Sequence, residues 1–286
     1  MTALSHYDAQ LKIRSVVPDF DAYIDRYRAL SAEARSLLPN HLDVPYGPSM
    51  LERLDVFMPS YTEADRSVHI FFHGGYWRAF DKDDYSYVAR PIVEAGAVAI
   101  IANYGLMPAI SMAELLSQCR VVIRWVFANA AQFGGSSQRI SISGHSAGGH
   151  IATLLHLTSW TEYSLPGNVI KSTVAVSGIY DLAPVLKSFL QAETGLTDED
   201  VAQFSPIACT NRGGPATRPL FICFGAHETD EFRRQSEDFA AALSARGAPV
   251  EVRALADRHH MDIVLDLGDA RSELGQLLIT QIMATD

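Results

Sequence analysis

Gly144-His145-Ser146-Ala147-Gly148 sets a serine between two glycines. It falls where a β-branched run at residues 139–143 gives way to Ile151, Leu154, Leu155 and Thr158 at helical spacing. A serine on a sharp strand-to-helix turn is exposed for attack and sits at a helix N-terminus, where N–H groups and the helix dipole favour developing negative charge. To act as a nucleophile it needs a base, a carboxylate to orient that base, and donors for an oxyanion. Each has a candidate. His73-Gly74-Gly75-Tyr76-Trp77 follows an early apolar strand, and its glycines let backbone N–H groups approach a carbonyl. The oxyanion hole is read at the N–H groups of Gly74, Gly75 and Tyr76, with that of Ala147. The base must lie after the last strand, at His259 or His260; His260, one step nearer the final helix, is favoured.

The acid lies in Gly225-Ala226-His227-Glu228-Thr229-Asp230-Glu231. Thr229 reads as a helix N-cap, and acids at 230 and 231 are accounted for by the helix dipole. Glu228 sits in the loop just after the strand and is preferred, with Asp230 as the alternative.

Two other chemistries are weaker. A dinucleotide fingerprint would put Ser146 where a second glycine must admit a pyrophosphate, and no acidic residue ends a strand near 164 to take a ribose. A metal site built from His227, His259 and His260 lacks any His-x-x-x-His or Cys-x-x-Cys spacing. No metal and no cofactor is expected.

These residues need a scaffold. Residues 68–72, 97–102, 139–143, 173–177, 220–224 and 250–255 are apolar strand candidates, suited to a parallel sheet covered on both faces. Helical patterns lie between them: residues 111–133 with a Gly134-Gly135 stop, a stretch through Phe232, Ser236, Phe239 and Leu243, and a last helix over 263–283. Another covers about 19–38 and ends at Pro39, followed by an extended stretch at 51–57. Strand, helix, strand, repeated, predicts an α/β fold with a mostly parallel, doubly wound sheet. One domain over 1–286 is expected, with an N-terminal helical segment (1–42) and an insertion at 178–218 forming a small cap. That insertion carries Pro184, Pro206, Pro215 and the acidic run Asp198-Glu199-Asp200, read as a solvated helix start.

The chain has 286 residues, 48% of them hydrophobic, which suffices for one large core. Its net charge of −10 and lack of a basic stripe argue against nucleic acid. The three cysteines, Cys119, Cys209 and Cys223, read as buried small hydrophobes in a reducing compartment. The first residues lack signal-peptide character and no stretch is long and apolar enough for a bilayer, so a cytoplasmic protein without membrane partners is expected. The expected partner is a small-molecule substrate, and a homodimer is compatible with the sequence.

With these segments quoted, the chain resembles the kynurenine formamidase (arylformamidase) group of α/β-hydrolases, related to the hormone-sensitive-lipase-like esterases. The resemblance rests on His73-Gly74-Gly75-Tyr76-Trp77, Gly144-His145-Ser146-Ala147-Gly148-Gly149-His150, Ser177-Gly178-Ile179-Tyr180-Asp181-Leu182 and Glu231-Phe232-Arg233-Arg234-Gln235-Ser236, and covers about 43–265. Tyr46-Gly47-Pro48 and Leu54-Asp55-Val56 also fit. It implies an α/β-hydrolase fold and a triad of Ser146, Glu228 and His260. Glutamate departs from the group's usual aspartate. The implied reaction is hydrolysis of an aryl formamide such as N-formylkynurenine to formate and an aromatic amine. Tyr76, Trp77, Tyr104 and Tyr180 are candidate walls for the aromatic leaving group, each weighed against simple packing. A carboxylesterase or another amidase is the nearest alternative, and a ligand-binding protein on the same fold a more distant one.

Overall fold

The computed structural model describes residues 6–60, 64–211 and 218–284. Among them the central feature is an eight-stranded sheet in the order β1-β2-β4-β3-β5-β6-β7-β8. The strands are β1 (Asn40–Pro45), β2 (Arg53–Phe57), β3 (Arg66–Phe72), β4 (Val98–Ala102), β5 (Gly135–His145), β6 (Ile170–Val176), β7 (Leu220–Gly225) and β8 (Val250–Leu255). All pairings from β4 to β8 are parallel, and only β1 with β2 and β2 with β4 run antiparallel. Every residue of β3, β4 and β7 is buried, as the continuous apolar runs require of strands covered on both faces. The flanking strands β1 and β8 are largely exposed.

The helices are α1 (His6–Leu11), α2 (Ile13–Val16), α3 (Phe20–Leu37), α4 (Ala89–Glu94), α5 (Met112–Asn129), α6 (Ala147–His156), α7 (Ala183–Leu186), α8 (Leu190–Thr194), α9 (Asp198–Phe204), α10 (Asp230–Ser244) and α11 (Glu273–Met283). At the start of α5 the Ser111 hydroxyl accepts from Glu114 N–H. The pattern to 133 continues as a 3-10 turn that stops at Gly134 in left-handed backbone. The solvated acidic run Asp198-Glu199-Asp200 opens α9, where Thr197 and Asp200 cap each other reciprocally.

Two expectations are corrected. The N-terminal helical segment stops short of residue 42: α3 ends at Leu37, and Asn40 begins β1, an exposed strand too polar to announce itself. The single last helix is two pieces, a 3-10 stretch Ile263–Gly268 and then α11. Between them the Ser272 hydroxyl accepts from Gly275 N–H and starts a new helix, so apolar periodicity ran through a real break.

The 178–218 insertion is helical in its described part, comprising α7 to α9 and a 3-10 turn at Pro206–Cys209. Pro215 lies outside the described residues. A parallel sheet delivers all its carboxyl ends to one edge, and the segments after β3, β5, β6, β7 and β8 meet there. Below that edge, buried Asp55 of β2 receives Lys82 Nζ at 3.1 Å and the Arg35 guanidinium of α3, tying the outer strands to α3.

Candidate active site

Ser146 stands between β5 and α6 with φ 56° and ψ −119°. A serine held in such a sparsely populated region costs about 1–3 kcal/mol, which the surrounding structure must offset. Its own N–H donates to Val176 O at 2.9 Å and its carbonyl accepts from His150 N–H at 3.1 Å, so both ends of the turn are pinned. The flanking glycines are demanded by contact: a Cβ on Gly144 would lie 2.1 Å from Gly148 O, and one on Gly148 would lie 2.0 Å from Phe72 O.

Opposite lies the loop after β3. Gly75, Tyr76, Trp77 and Phe80 all have positive φ, which curls residues 74–80 back on themselves. A Cβ on Gly74 would stand 3.2 Å from Ser146 Cβ, so this backbone runs against the serine. Among the described residues, the N–H groups of Gly74, Gly75, Tyr76 and Ala147 make no hydrogen bond to a protein carbonyl outside the helices and strands. Unspent donors beside a serine are what an oxyanion requires.

The loops after β7 and β8 bring a carboxylate to an imidazole. Glu228 Oε2 lies 2.9 Å from His260 Nδ1, and both side chains are buried. The other oxygen, Oε1, accepts Gly225 N–H at 2.8 Å and the Ser177 hydroxyl. Asp230 instead sits exposed at the first position of α10, 3.1 Å from Arg233. Thr229 does precede α10, yet its hydroxyl donates to Gln10 O rather than capping the helix.

His259 Nδ1 accepts the N–H groups of Met261 and Asp262, and its Nε2 meets Tyr23 Oη of α3 at 3.2 Å. It shapes the loop that holds His260. Tyr27 of α3 reinforces that loop through its hydroxyl on Met261 O. His227 is exposed. No group of three or more His, Cys, Asp or Glu among the described residues is arranged to hold a metal.

The four aromatic candidates fall in different settings. Trp77 is buried, donating from its indole to His150 Nδ1 at 3.2 Å. Tyr104 is buried, stacked on His73 at 4.3 Å and bonded to His73 O at 2.7 Å. Tyr180 is buried against Phe239 with ring centroids 4.8 Å apart. These three present no surface to solvent. Tyr76 is partly buried and donates to Leu11 O of α1 at 2.6 Å.

Several positioning residues escape a reading of the sequence. Gln235 Oε1 accepts the N–H groups of Tyr180 and Asp181 at 2.7 and 2.8 Å, fastening the loop after β6 to α10. His150 Nε2 donates to Phe204 O at 2.8 Å while Nδ1 accepts the Trp77 indole N–H, so one neutral imidazole joins the Gly-Gly loop to α9. Burial holds that imidazole at a pKa of about 4, well below the ordinary value. α1 bridges further: Gln10 Oε1 accepts Glu231 N–H at 3.1 Å, and Asp8 Oδ1 accepts Phe189 N–H at 2.6 Å. Arg78 and Glu193, 2.7 Å apart, tie the same Gly-Gly loop to α8.

Comparison with known proteins gives the family. The family model described as BD-FAE matches residues 54–243. A kynurenine formamidase of Danio rerio is 32% identical over 263 residues, covering 91% of this chain and 88% of that protein. A kynurenine formamidase of Salmo salar is 32% identical over 86% of this chain and 83% of its own length. An isoprenylcysteine alpha-carbonyl methylesterase of Arabidopsis thaliana is more distant, at 25% identity. Among solved structures, a candidate thioesterase from Silicibacter sp. superposes with a TM-score of 0.83 at 25% identity, covering 98% of this chain and 99% of that one. A thermophilic carboxylesterase from a metagenomic library superposes at 0.71 and 16% identity. The fold is that of the α/β-hydrolases, and the chain belongs to the BD-FAE family, in the group that contains the kynurenine formamidases.

Proposed function

We propose that this hydrolase cleaves an aryl formamide of the N-formylkynurenine type to formate and the aromatic amine. The observation that carries the substrate class is the 32% identity to the fish kynurenine formamidases over 91% and 86% of this chain. The site residues support a serine-hydrolase course. Ser146 Oγ attacks the formyl carbon as its proton passes to His260, and the charge on the carbonyl oxygen falls among the N–H groups of Gly74, Gly75, Tyr76 and Ala147. Glu228 holds Nδ1–H of His260, fixing the tautomer and balancing the imidazolium. His260 then protonates the leaving nitrogen as the C–N bond breaks, leaving a formyl ester on Ser146. Water, deprotonated by His260, attacks that ester, and the proton returns to Ser146 Oγ as formate departs. No cofactor takes part in this scheme.

Cys119, Cys209 and Cys223 are buried and none of them is in a disulfide, which supports work in a reducing compartment. Among the described residues no helix is long and apolar enough to cross a membrane.

The test is turnover of N-formylkynurenine beside p-nitrophenyl acetate, with Ser146→Ala as control. Strong preference for the formamide, lost in Ser146→Ala, is expected. Ester cleavage that spares the formamide would overturn the substrate class and favour the methylesterase side of the relatives.

A further inference from the structure

Ser177 directly follows β6 and adopts φ 49°, left-handed backbone that a residue with a Cβ enters at a cost and glycine enters freely. A glycine would therefore be the cheaper occupant. What glycine lacks is the hydroxyl, and that hydroxyl has one partner, Oε1 of Glu228. Ser177 is fully buried, and its N–H is spent on Cys223 O at 2.7 Å.

We infer that Ser177 is a positioning residue for the triad, acting through Glu228. A glutamate has one more rotatable bond than an aspartate, so its carboxylate must be fixed about an additional torsion before it can orient a histidine. Ser177 and Gly225 N–H do this by holding Oε1, which leaves Oε2 turned to His260 Nδ1 at 2.9 Å. Three donors around one carboxylate satisfy its charge in a buried site and allow one rotamer. The serine thus keeps an unfavourable backbone in exchange for a fixed acid.

This rests on the serine-hydrolase reading of the site, though not on the formamide substrate. The test compares Ser177→Gly with the parent, alone and in a Glu228→Ala background. Ser177→Gly relieves the backbone, so its melting temperature should be unchanged or higher. Its kcat should fall about 10- to 100-fold, the range for a lost hydrogen bond to a charged group, with KM nearly constant. In the Glu228→Ala background the same change should cost less than about twofold, because a residue that acts through Glu228 has nothing left to act on. Ser177→Ala, which retains a Cβ, is the second variant and should follow the same pattern in kcat. The rate at which a fluorophosphonate labels Ser146 is read in parallel and should fall likewise. If N-formylkynurenine is not turned over but labelling slows as described, the substrate class fails and this inference stands. Unchanged labelling and turnover in Ser177→Gly, or an equal loss in both backgrounds, would overturn it.

Discussion

The two sides of the site are held by different means. On the serine side, the turn at Ser146 and the loop at 74–80 take their curl from backbone, through positive φ, glycines packed close to neighbouring carbonyls and main-chain hydrogen bonds. Tyr76, Trp77 and Arg78 then tie the curled loop to its neighbours. On the acid–base side positive φ recurs at Ser177 and Asp257 and Gly225 N–H holds Glu228, but Glu228 and His260 are aimed largely by the side chains of Ser177, His259, Tyr23 and Tyr27. Backbone strain fixes the Cα of Ser146 and the N–H groups of the 74–77 loop independently of any rotamer. Side-chain hydrogen bonds fix the Glu228 carboxylate against His260 Nδ1 at 2.9 Å, the arrangement the proposed acid–base role requires. Substitutions that disturb the backbone of the first side should therefore be read in folding, and those in the side-chain network of the second in turnover.

The largest expected effect belongs to the second side. Glu228→Gln keeps the shape of the acid and removes its charge, so kcat should fall by about 10³- to 10⁴-fold with little change in melting temperature. A comparable loss of stability would break the distinction. Next, Gly148→Ala should show the converse. Its Cβ would sit 2.0 Å from Phe72 O, against backbone that cannot yield cheaply, so destabilisation of about 3 kcal/mol or more is expected in urea unfolding.

Acid should also act through folding. Burial depresses His69 and His156 to about 3 and His150 to about 4, against an ordinary 6.5. Above pH 6.5 both folded and unfolded chains carry these imidazoles neutral, and they add no pH dependence. Below it the unfolded chain takes up protons that the folded one refuses. Stability should thus fall by about 1.4 kcal/mol per histidine per pH unit from 6.5 down to about 4. Urea midpoints at pH 7.5 and 5.0 measure this, and His150→Asn should flatten the slope. The smallest effect is expected from Gln235→Ala. It leaves two N–H groups of the β6 loop without an acceptor and should cost about 1–3 kcal/mol in stability, with kcat within about tenfold.

The same division explains what a sequence discloses. The serine turn was legible because its constraint is local: glycines two residues to either side, a buried strand before and an apolar helix after. The parallel strands were legible because burial on both faces leaves an unbroken apolar run, as in β3 and β4. β1 was not, since an exposed strand of Asn, His and Asp carries no such run. Ser177 and Gln235 appeared within recognisable segments, but their work depends on partners 51 and more than 50 residues away. Thr229 marked the start of α10 correctly, while its hydroxyl went to Gln10, more than 200 residues earlier. Long-range side-chain pairing leaves no period to detect.

The contacts of α1 have a consequence for the order of assembly. Its partners are Tyr76, Phe189, Thr229 and Glu231, and the last two are 219 and 221 residues distant. During synthesis the earliest described residues emerge into a chain that lacks most of their docking surface. Closing so long a loop has to await the elements that reward it. Residues 8–11 are therefore expected to be among the last to settle, fastening the segments that follow β3 and β7 once the sheet has formed. A fusion joined ahead of α1 would delay this final docking more than it would the folding of the sheet.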